Sequence, residues 1–479
     1  MGLKFGTSGV RGLVTEMSDL ECYLYSKAYS EYLKQCGGDT VCIAGDYRSS
    51  TPRIMKAVAF AVYESGLTLD NVGFAPTPML AVHSLSKKAG GIMVTGSHIP
   101  DDRNGIKFYM PSGEILKSDE EKISAEYMRL KKEPVSDAFD ADGMLIEDID
   151  LGAVNEEVRE QYIRRYTDFF PAGSLDGLNL LFYQHSTVGR TIFPEILEKL
   201  GADVKLIGWS DSFVPVDTEA VSNPETLAEW VKEFGVDALV SADGDCDRPL
   251  LVDETGKMIR GDLLGILAGA FLNADSVSTP VSCNSALELS GKFPNVSRTK
   301  IGSPYVIAAM NDAVRDGHKC VIGYEANGGF LTGSDITLPG CRGILTALAT
   351  RDAVLPVLST LIASLKAGKT LSELKGDLPP RFTVSGIIRD IPTATGKAIV
   401  ASFAENGIDY INKELGEIFG DCEKLDLTDG CRMTFAGGGI LHFRPSGNAP
   451  EFRIYTEYST EQDAIEYNRK GSSFISGKL

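Results

Sequence analysis

Five short, unbroken apolar runs in the first three-quarters of the chain constrain its fold most. They are Val41-Cys42-Ile43-Ala44, Gly91-Ile92-Met93-Val94, Leu180-Leu181-Phe182-Tyr183, Ala238-Leu239-Val240 and Cys320-Val321-Ile322-Gly323. A strand without polar alternation has no wet face, so each must be covered on both sides, as in parallel or mixed sheets. Amphipathic segments lie between them. In one, Ser118 with Glu121 predicts a capping box, and Ile123, Tyr127 and Leu130 share a face behind it. The fold class that follows is α/β, with doubly wound mixed-sheet layers.

The pattern changes in the last hundred or so residues. A strand is predicted over 382–391, followed by a helical stretch. A hairpin is predicted over 431–435 and 440–444 around Ala436-Gly437-Gly438-Gly439, and a last strand over 452–458. This reads as an α+β module. The 479 residues allow three or four domains. The expected division is 1–150, 151–258 and 259–375, each α/β, and 376–479, α+β.

The formal net charge of −19 excludes generic nucleic-acid binding. An anionic substrate would therefore need locally concentrated positive charge. The nine cysteines are scattered without a C-x-x-C pair, which fits reduced thiols and neither a disulfide framework nor a zinc site. No apolar run reaches membrane-spanning length, and Met1-Gly2-Leu3-Lys4-Phe5-Gly6 does not read as a signal peptide, so a cytoplasmic protein without a membrane partner is expected.

The chemistry concentrates in loops. Asp243-Gly244-Asp245-Cys246-Asp247-Arg248 follows an apolar run and sets three carboxylates at alternate positions. Such a loop repels itself unless a cation fills it, and its hard oxygens point to Mg²⁺, Mn²⁺ or Ca²⁺. An EF-hand is excluded: Glu254 fits the twelfth position, but Arg248 stands at the sixth, where the turn needs glycine. Cys246 is expected to point away from the ion.

Thr95-Gly96-Ser97-His98-Ile99-Pro100 places a serine at a strand end, able to present its hydroxyl to a cleft, and Lys107 lies within reach downstream. Gly323-Tyr324-Glu325-Ala326-Asn327-Gly328-Gly329 offers a carboxylate and an amide suited to vicinal hydroxyls. Arg444-Pro445-Ser446-Gly447-Asn448-Ala449-Pro450, with Arg453 beyond, has the composition of a phosphate cradle. Gly6-Thr7-Ser8-Gly9-Val10-Arg11-Gly12 lacks nucleotide-loop spacing.

Taken in order, these segments resemble the α-D-phosphohexomutase superfamily, in its phosphomannomutase/phosphoglucomutase branch, over essentially the whole chain. The resemblance implies three α/β domains and a smaller α+β domain around a central cleft. It implies a reversible interconversion of hexose 6-phosphate and hexose 1-phosphate, of mannose, glucose or both, through a phosphoserine and a hexose 1,6-bisphosphate. Ser97 would carry the phosphoryl group. Mg²⁺ would be held by Ser97, Asp243, Asp245 and Asp247. Arg11, His98, Lys107 and Arg248 would serve catalysis. Glu325, Asn327 and Gly302 would meet the sugar, and Arg444, Ser446, Gly447, Asn448 and Arg453 the distal phosphate. The expected partner is a small sugar phosphate, and the expected state a monomer or homodimer.

Three positions depart from that pattern. Ile99 replaces a usual Asn, Asn327 stands where mannose and glucose enzymes commonly have Ser, and Gly329 falls where some relatives carry His. The loop Glu325-Ala326-Asn327-Gly328 is also similar to that of N-acetylglucosamine-phosphate mutases. An amino-sugar phosphate mutase is therefore the alternative enzyme, and a non-catalytic sugar-phosphate binder the alternative of another class. Ser97→Ala is expected to abolish most turnover while the far-UV spectrum and melting temperature stay as in the wild type. Wild-type turnover in that variant would defeat the assigned carrier.

Overall fold

The computed structural model describes residues 3–5, 9–134, 136–445 and 451–478. Four sheets organise them. The first has seven strands in the spatial order Lys4–Phe5, Gly9–Leu13, Arg103–Met110, Gly90–Val94, Thr40–Gly45 and Thr68–Phe74, with Gly113–Glu114 pairing onto Arg103–Met110. Thr40–Gly45 runs parallel to both neighbours, whereas Arg103–Met110 is antiparallel to Gly90–Val94. Every residue of Gly90–Val94 is buried, as an unbroken apolar run requires.

The second sheet orders Pro249–Asp253, Ala238–Ala242, Asn179–His185 and Asp203–Trp209. The third orders Asn295–Thr299, Ser276–Pro280, Val321–Tyr324, Phe330–Thr332 and Leu348–Asp352. In both, a parallel pair sits beside an antiparallel one. The fourth sheet is antiparallel: Phe382–Arg389, Glu451–Tyr458, Ile440–Pro445, Cys431–Phe435 and Cys422–Asp426. Burial alternates along Cys431–Phe435, the mark of a sheet with one covered face. Its cover comes from Thr393–Phe419, broken at Gly407, and Glu461–Ser476. One local expectation shifts by two residues. The helix Lys117–Leu130 is capped at Leu116, whose N–H donates to Asp119, and not by Ser118 with Glu121.

The cores show how these units are joined. One continuous apolar cluster runs through the second and third units and one face of the first, including Met93, Tyr162, Phe182, Phe193, Leu264 and Tyr324. The C-terminal unit has its own cluster around Phe403, Phe435, Phe443 and Ile454. Its links to the third unit are polar: Glu457 accepts from Ser285, Asn284 donates to the Arg381 carbonyl, and the Ile301 N–H donates to Asp429. The loops after Gly90–Val94, Ala238–Ala242 and Val321–Tyr324 leave the carboxyl ends of parallel-paired strands, where open α/β sheets form their clefts.

Within the C-terminal core, His442 is buried, and its Nε2–H donates to the Asp429 carbonyl at 2.5 Å. Burial lowers its pKa from the usual 6.5 to about 4. A histidine depressed in the folded state takes its proton more readily when unfolded. Its stabilising contribution is therefore whole above pH 6.5 and lost as pH falls toward 4. Between those limits the wild type should lose up to about 3 kcal/mol more than His442→Gln. Urea unfolding of the C-terminal unit at a series of pH values measures it; parallel profiles would refute the assignment.

Candidate active site

Ser97 lies in the turn after Gly90–Val94, fully buried, with φ of 59°, a left-handed conformation uncommon for a residue with a side chain. Its N–H donates to Thr95 Oγ1 at 2.7 Å. Its hydroxyl donates to Asp243 Oδ2 at 2.6 Å, across 146 residues of sequence. The serine and the acidic loop, expected to share one chemistry, are thus in direct contact. His98 sits beside them, 3.3 Å from Ser97 Oγ through Nδ1. Arg248 Nη1 donates to that same nitrogen at 2.7 Å. Burial first, then Arg248 and Arg11, push the His98 pKa well below 6.5, so the ring is neutral with its proton on Nε2.

The acidic loop turns tightly. Asp243 Oδ1 accepts from the N–H groups of Asp247 and Arg248, and Cys246, at φ 56°, packs its thiol into the apolar core. The three aspartates each offer an oxygen, all within 4.8 Å of one another. Asp245 Oδ1 and Asp247 Oδ1 are buried and have no hydrogen-bond partner. Orphaned carboxylate oxygens in so close a cluster suit a hard divalent cation. Asp243, Asp245 and Asp247 could therefore hold one, with Ser97 adjoining.

Lys107 touches the same group. Its ammonium donates to Asp245 at 2.6 Å and to Asp247 at 2.7 Å. Burial alone would lower its pKa, but the two carboxylates more than reverse that and raise it. Burial pushes Asp245 up, and Lys107, Thr77 and Arg248 together outweigh it, so Asp245 stays ionised. Asp243 is raised by burial and by the two neighbouring aspartates. Thr77 adds a 2.5 Å donation to Asp245. Arg11, on Gly9–Leu13 opposite Gly105, is lowered to about 10 by burial and then by Arg248. The cleft thus gathers cations in a chain of net charge −19, as an anionic substrate demands.

The Glu325 loop completes the centre. Glu325 is buried and accepts from Arg351 Nε at 2.5 Å, while Arg351 Nη1 lies 3.8 Å from Asp247. Arg351 therefore bridges this loop to the acidic one, and no sequence motif had marked it. A Cβ at Gly329 would stand 2.5 Å from Arg351 Cδ, so glycine there makes room for the arginine. The amide oxygen of Asn327 accepts from its own turn at Gly329, and its carbonyl accepts from Thr218 of the second unit. Gly302, with φ of 132°, precedes the helix Ser303–Arg315.

In the C-terminal unit, Arg444 and Arg453 face each other in register. Arg444 Nε donates to Asp429 at 3.0 Å, and Arg453 lies 3.5 Å from Glu451. Asp429, absent from the sequence reading, ties Arg444 to the Ile301 N–H beside Gly302. Ser446, Gly447 and Asn448 lie outside the described residues, as do Gly6, Thr7 and Ser8. Glu254 accepts from Ser372 and takes no part in the acidic centre, consistent with rejecting an EF-hand.

Three α/β units and an α+β unit around a cation-lined cleft define the class of intramolecular phosphotransferases acting on sugar phosphates. Domains I, II and III of phosphoglucomutase/phosphomannomutase match residues 2–134, 160–256 and 260–382, and the chain belongs to that family. It is 42% identical to a phosphomannomutase of Sinorhizobium fredii over 475 residues, covering 98% of this chain and 97% of the relative. It is 41% identical to a phosphomannomutase of Salmonella muenchen over 487 residues, covering 100% and 96%. Its fold is shared by a phosphoglucomutase/phosphomannomutase family protein from Burkholderia thailandensis, with a TM-score of 0.72 at 18% identity over 98% of this chain and 97% of that one.

Removing Arg351 would leave the buried Glu325 without its cation, while Asp247 would keep Lys107 and Arg248. Arg351→Met is expected to cost about 3–5 kcal/mol of stability and about 100-fold in kcat/KM. Thermal melts and steady-state assays measure both. Values matching the wild type would show that Arg351 does not couple the two loops.

Proposed function

We propose that this chain is a phosphohexomutase that reversibly interconverts hexose 6-phosphate and hexose 1-phosphate, acting on mannose, glucose or both. The observation that carries this reading is the 2.6 Å contact between Ser97 Oγ and Asp243 Oδ2, made beside two buried, unpartnered aspartate oxygens. In the proposed cycle a phosphoserine at Ser97 gives its phosphoryl group to the sugar's free hydroxyl. The Ser97 Oγ–P bond breaks as a bond from phosphorus to the sugar oxygen forms, and the proton given up by the sugar hydroxyl ends on Ser97 Oγ. The hexose 1,6-bisphosphate so produced turns end for end, and its other phosphate returns to Ser97.

The roles divide by location. Arg11, Arg248 and Lys107 supply positive charge where phosphoryl transfer needs positioning and neutralisation more than covalent help. The raised pKa of Lys107 keeps it protonated, which suits it to charge stabilisation and not to acting as a base. Glu325 and Asn327, with Gly302, hold sugar hydroxyls. Arg444 and Arg453, with Ser446, Gly447 and Asn448, hold the phosphate that does not react. Asp243, Asp245, Asp247 and Ser97 hold Mg²⁺, which when bound neutralises charge on the transferring oxygens. No helix of the described residues is long and apolar enough to cross a membrane. The cytoplasm is the proposed compartment, and a monomer or homodimer the proposed state.

The test is kcat/KM measured side by side on the 1-phosphates of mannose, glucose, glucosamine and N-acetylglucosamine, with Mg²⁺ and the matching bisphosphate. Mannose or glucose 1-phosphate should exceed both amino sugars by about tenfold or more. A chelator should abolish turnover, and Mg²⁺ should restore it. Preference for an amino sugar would replace the substrate assignment, and no turnover on any of the four would favour a binding protein.

A further inference from the structure

Arg48, between the strand Thr40–Gly45 and the helix Thr51–Glu64, is fully buried and lies outside every loop assigned above. A guanidinium has five N–H donors. All five are used here. Nε donates to Asp46 Oδ2 at 3.1 Å. Nη1 donates to the carbonyls of Pro100 at 2.7 Å and Arg103 at 3.0 Å. Nη2 donates to the carbonyls of Ser97 at 2.9 Å and Ile99 at 2.5 Å. One cation thus collects four carbonyls from the turn that carries Ser97. The bonds to Ser97 and Ile99 hold the segment where Ile99 departs from the family pattern.

The partner of Arg48 reaches the same turn by a second route. Asp46 Oδ2 accepts from Thr95 Oγ1 at 2.6 Å, and Thr95 Oγ1 in turn accepts from the Ser97 N–H at 2.7 Å. Carbonyl and N–H of Ser97 are therefore both fixed from one Asp46–Arg48 pair. The guanidinium is also packed on its flat faces. A Cβ at Gly96 would stand 2.6 Å from Arg48 Cζ, and the Phe213 ring of the second unit lies 3.9 Å away on a cation–π contact. Phe213 in turn abuts the acidic loop: a Cβ at Gly244 would meet its ring at 2.9 Å and the Ser97 carbonyl at 2.7 Å. Gly96, Arg48, Phe213 and Gly244 are thus packed in sequence, and the stack runs from the serine turn to the metal-competent turn.

We propose that Arg48 is a positioning residue for phosphoryl transfer, which holds Ser97 in its left-handed turn and sets its distance from Asp243 across the boundary between the first two units. The inference rests on the mutase reading and extends it to a residue that touches neither substrate nor metal. Lysine cannot substitute, because an ammonium has three donors and no planar face to lie between Gly96 and Phe213.

The experiment compares wild type, Arg48→Lys and Thr95→Val for kcat, KM, melting temperature and uptake of phosphate by Ser97 from hexose 1,6-bisphosphate, followed by intact mass. Arg48→Lys is expected to lower kcat about 100-fold with KM within about threefold of wild type. Thr95→Val, which keeps shape and loses one hydroxyl, is expected to lower kcat about tenfold with KM again unchanged. In both, phosphate uptake should be slow but reach full stoichiometry. Stoichiometry falling in step with kcat would reveal a merely structural residue and overturn the proposal, as would Arg48→Lys with kcat within about twofold of wild type. If Arg48→Lys does not fold, Thr95→Val decides, and an unchanged kcat there overturns it. A wild type that takes up no phosphate and turns over no sugar would instead defeat the mutase reading.

Discussion

Three buried carboxylates within a few ångströms of one another are the constraint on which the rest of the cleft depends. At such separations, like charges repel by roughly 4 kcal/mol per pair at the dielectric of a partly wet protein interior. The chain offsets this with cations from separate units. Lys107 comes from the first sheet, Arg248 from the acidic turn and Arg351 from the third sheet. Each is buried and hydrogen-bonded, so truncating one leaves a desolvated charge without a counterpart. The three α/β units are therefore joined electrostatically at the point where a phosphoryl group would move, and the shared apolar core behind them fixes the spacing.

The C-terminal unit stands apart from that arrangement. Its apolar cluster is its own, and it meets the third unit through side-chain and backbone hydrogen bonds. Polar contacts of this kind exchange with water at lower cost than a continuous core. Asp429 illustrates the economy: one carboxylate orients Arg444 and also holds the turn before Gly302.

Much of this was legible in the sequence because it is local. A run such as Gly90–Val94 announces its two-sided burial, and Asp243, Asp245 and Asp247 announce a cation through their density within one turn. The hairpin from Cys431 to Pro445 followed from its glycines. What could not be read depends on partners distant in the chain. Arg48, Arg351, Thr77 and Asp429 carry no motif, and each acquires meaning only when a loop distant in the chain meets it. The cap of Lys117–Leu130 was missed for a different reason: Asp119 could serve as well as Glu121, and the choice between them rests on where the preceding chain arrives.

The closeness of position 329 to Arg351 has a further consequence. Neither site can drift alone: a bulkier residue at 329 collides with the arginine, and a shorter one at 351 strands Glu325. Descent with change at these two places must therefore proceed as paired exchanges, so a sequence comparison that treats columns as independent will misjudge both.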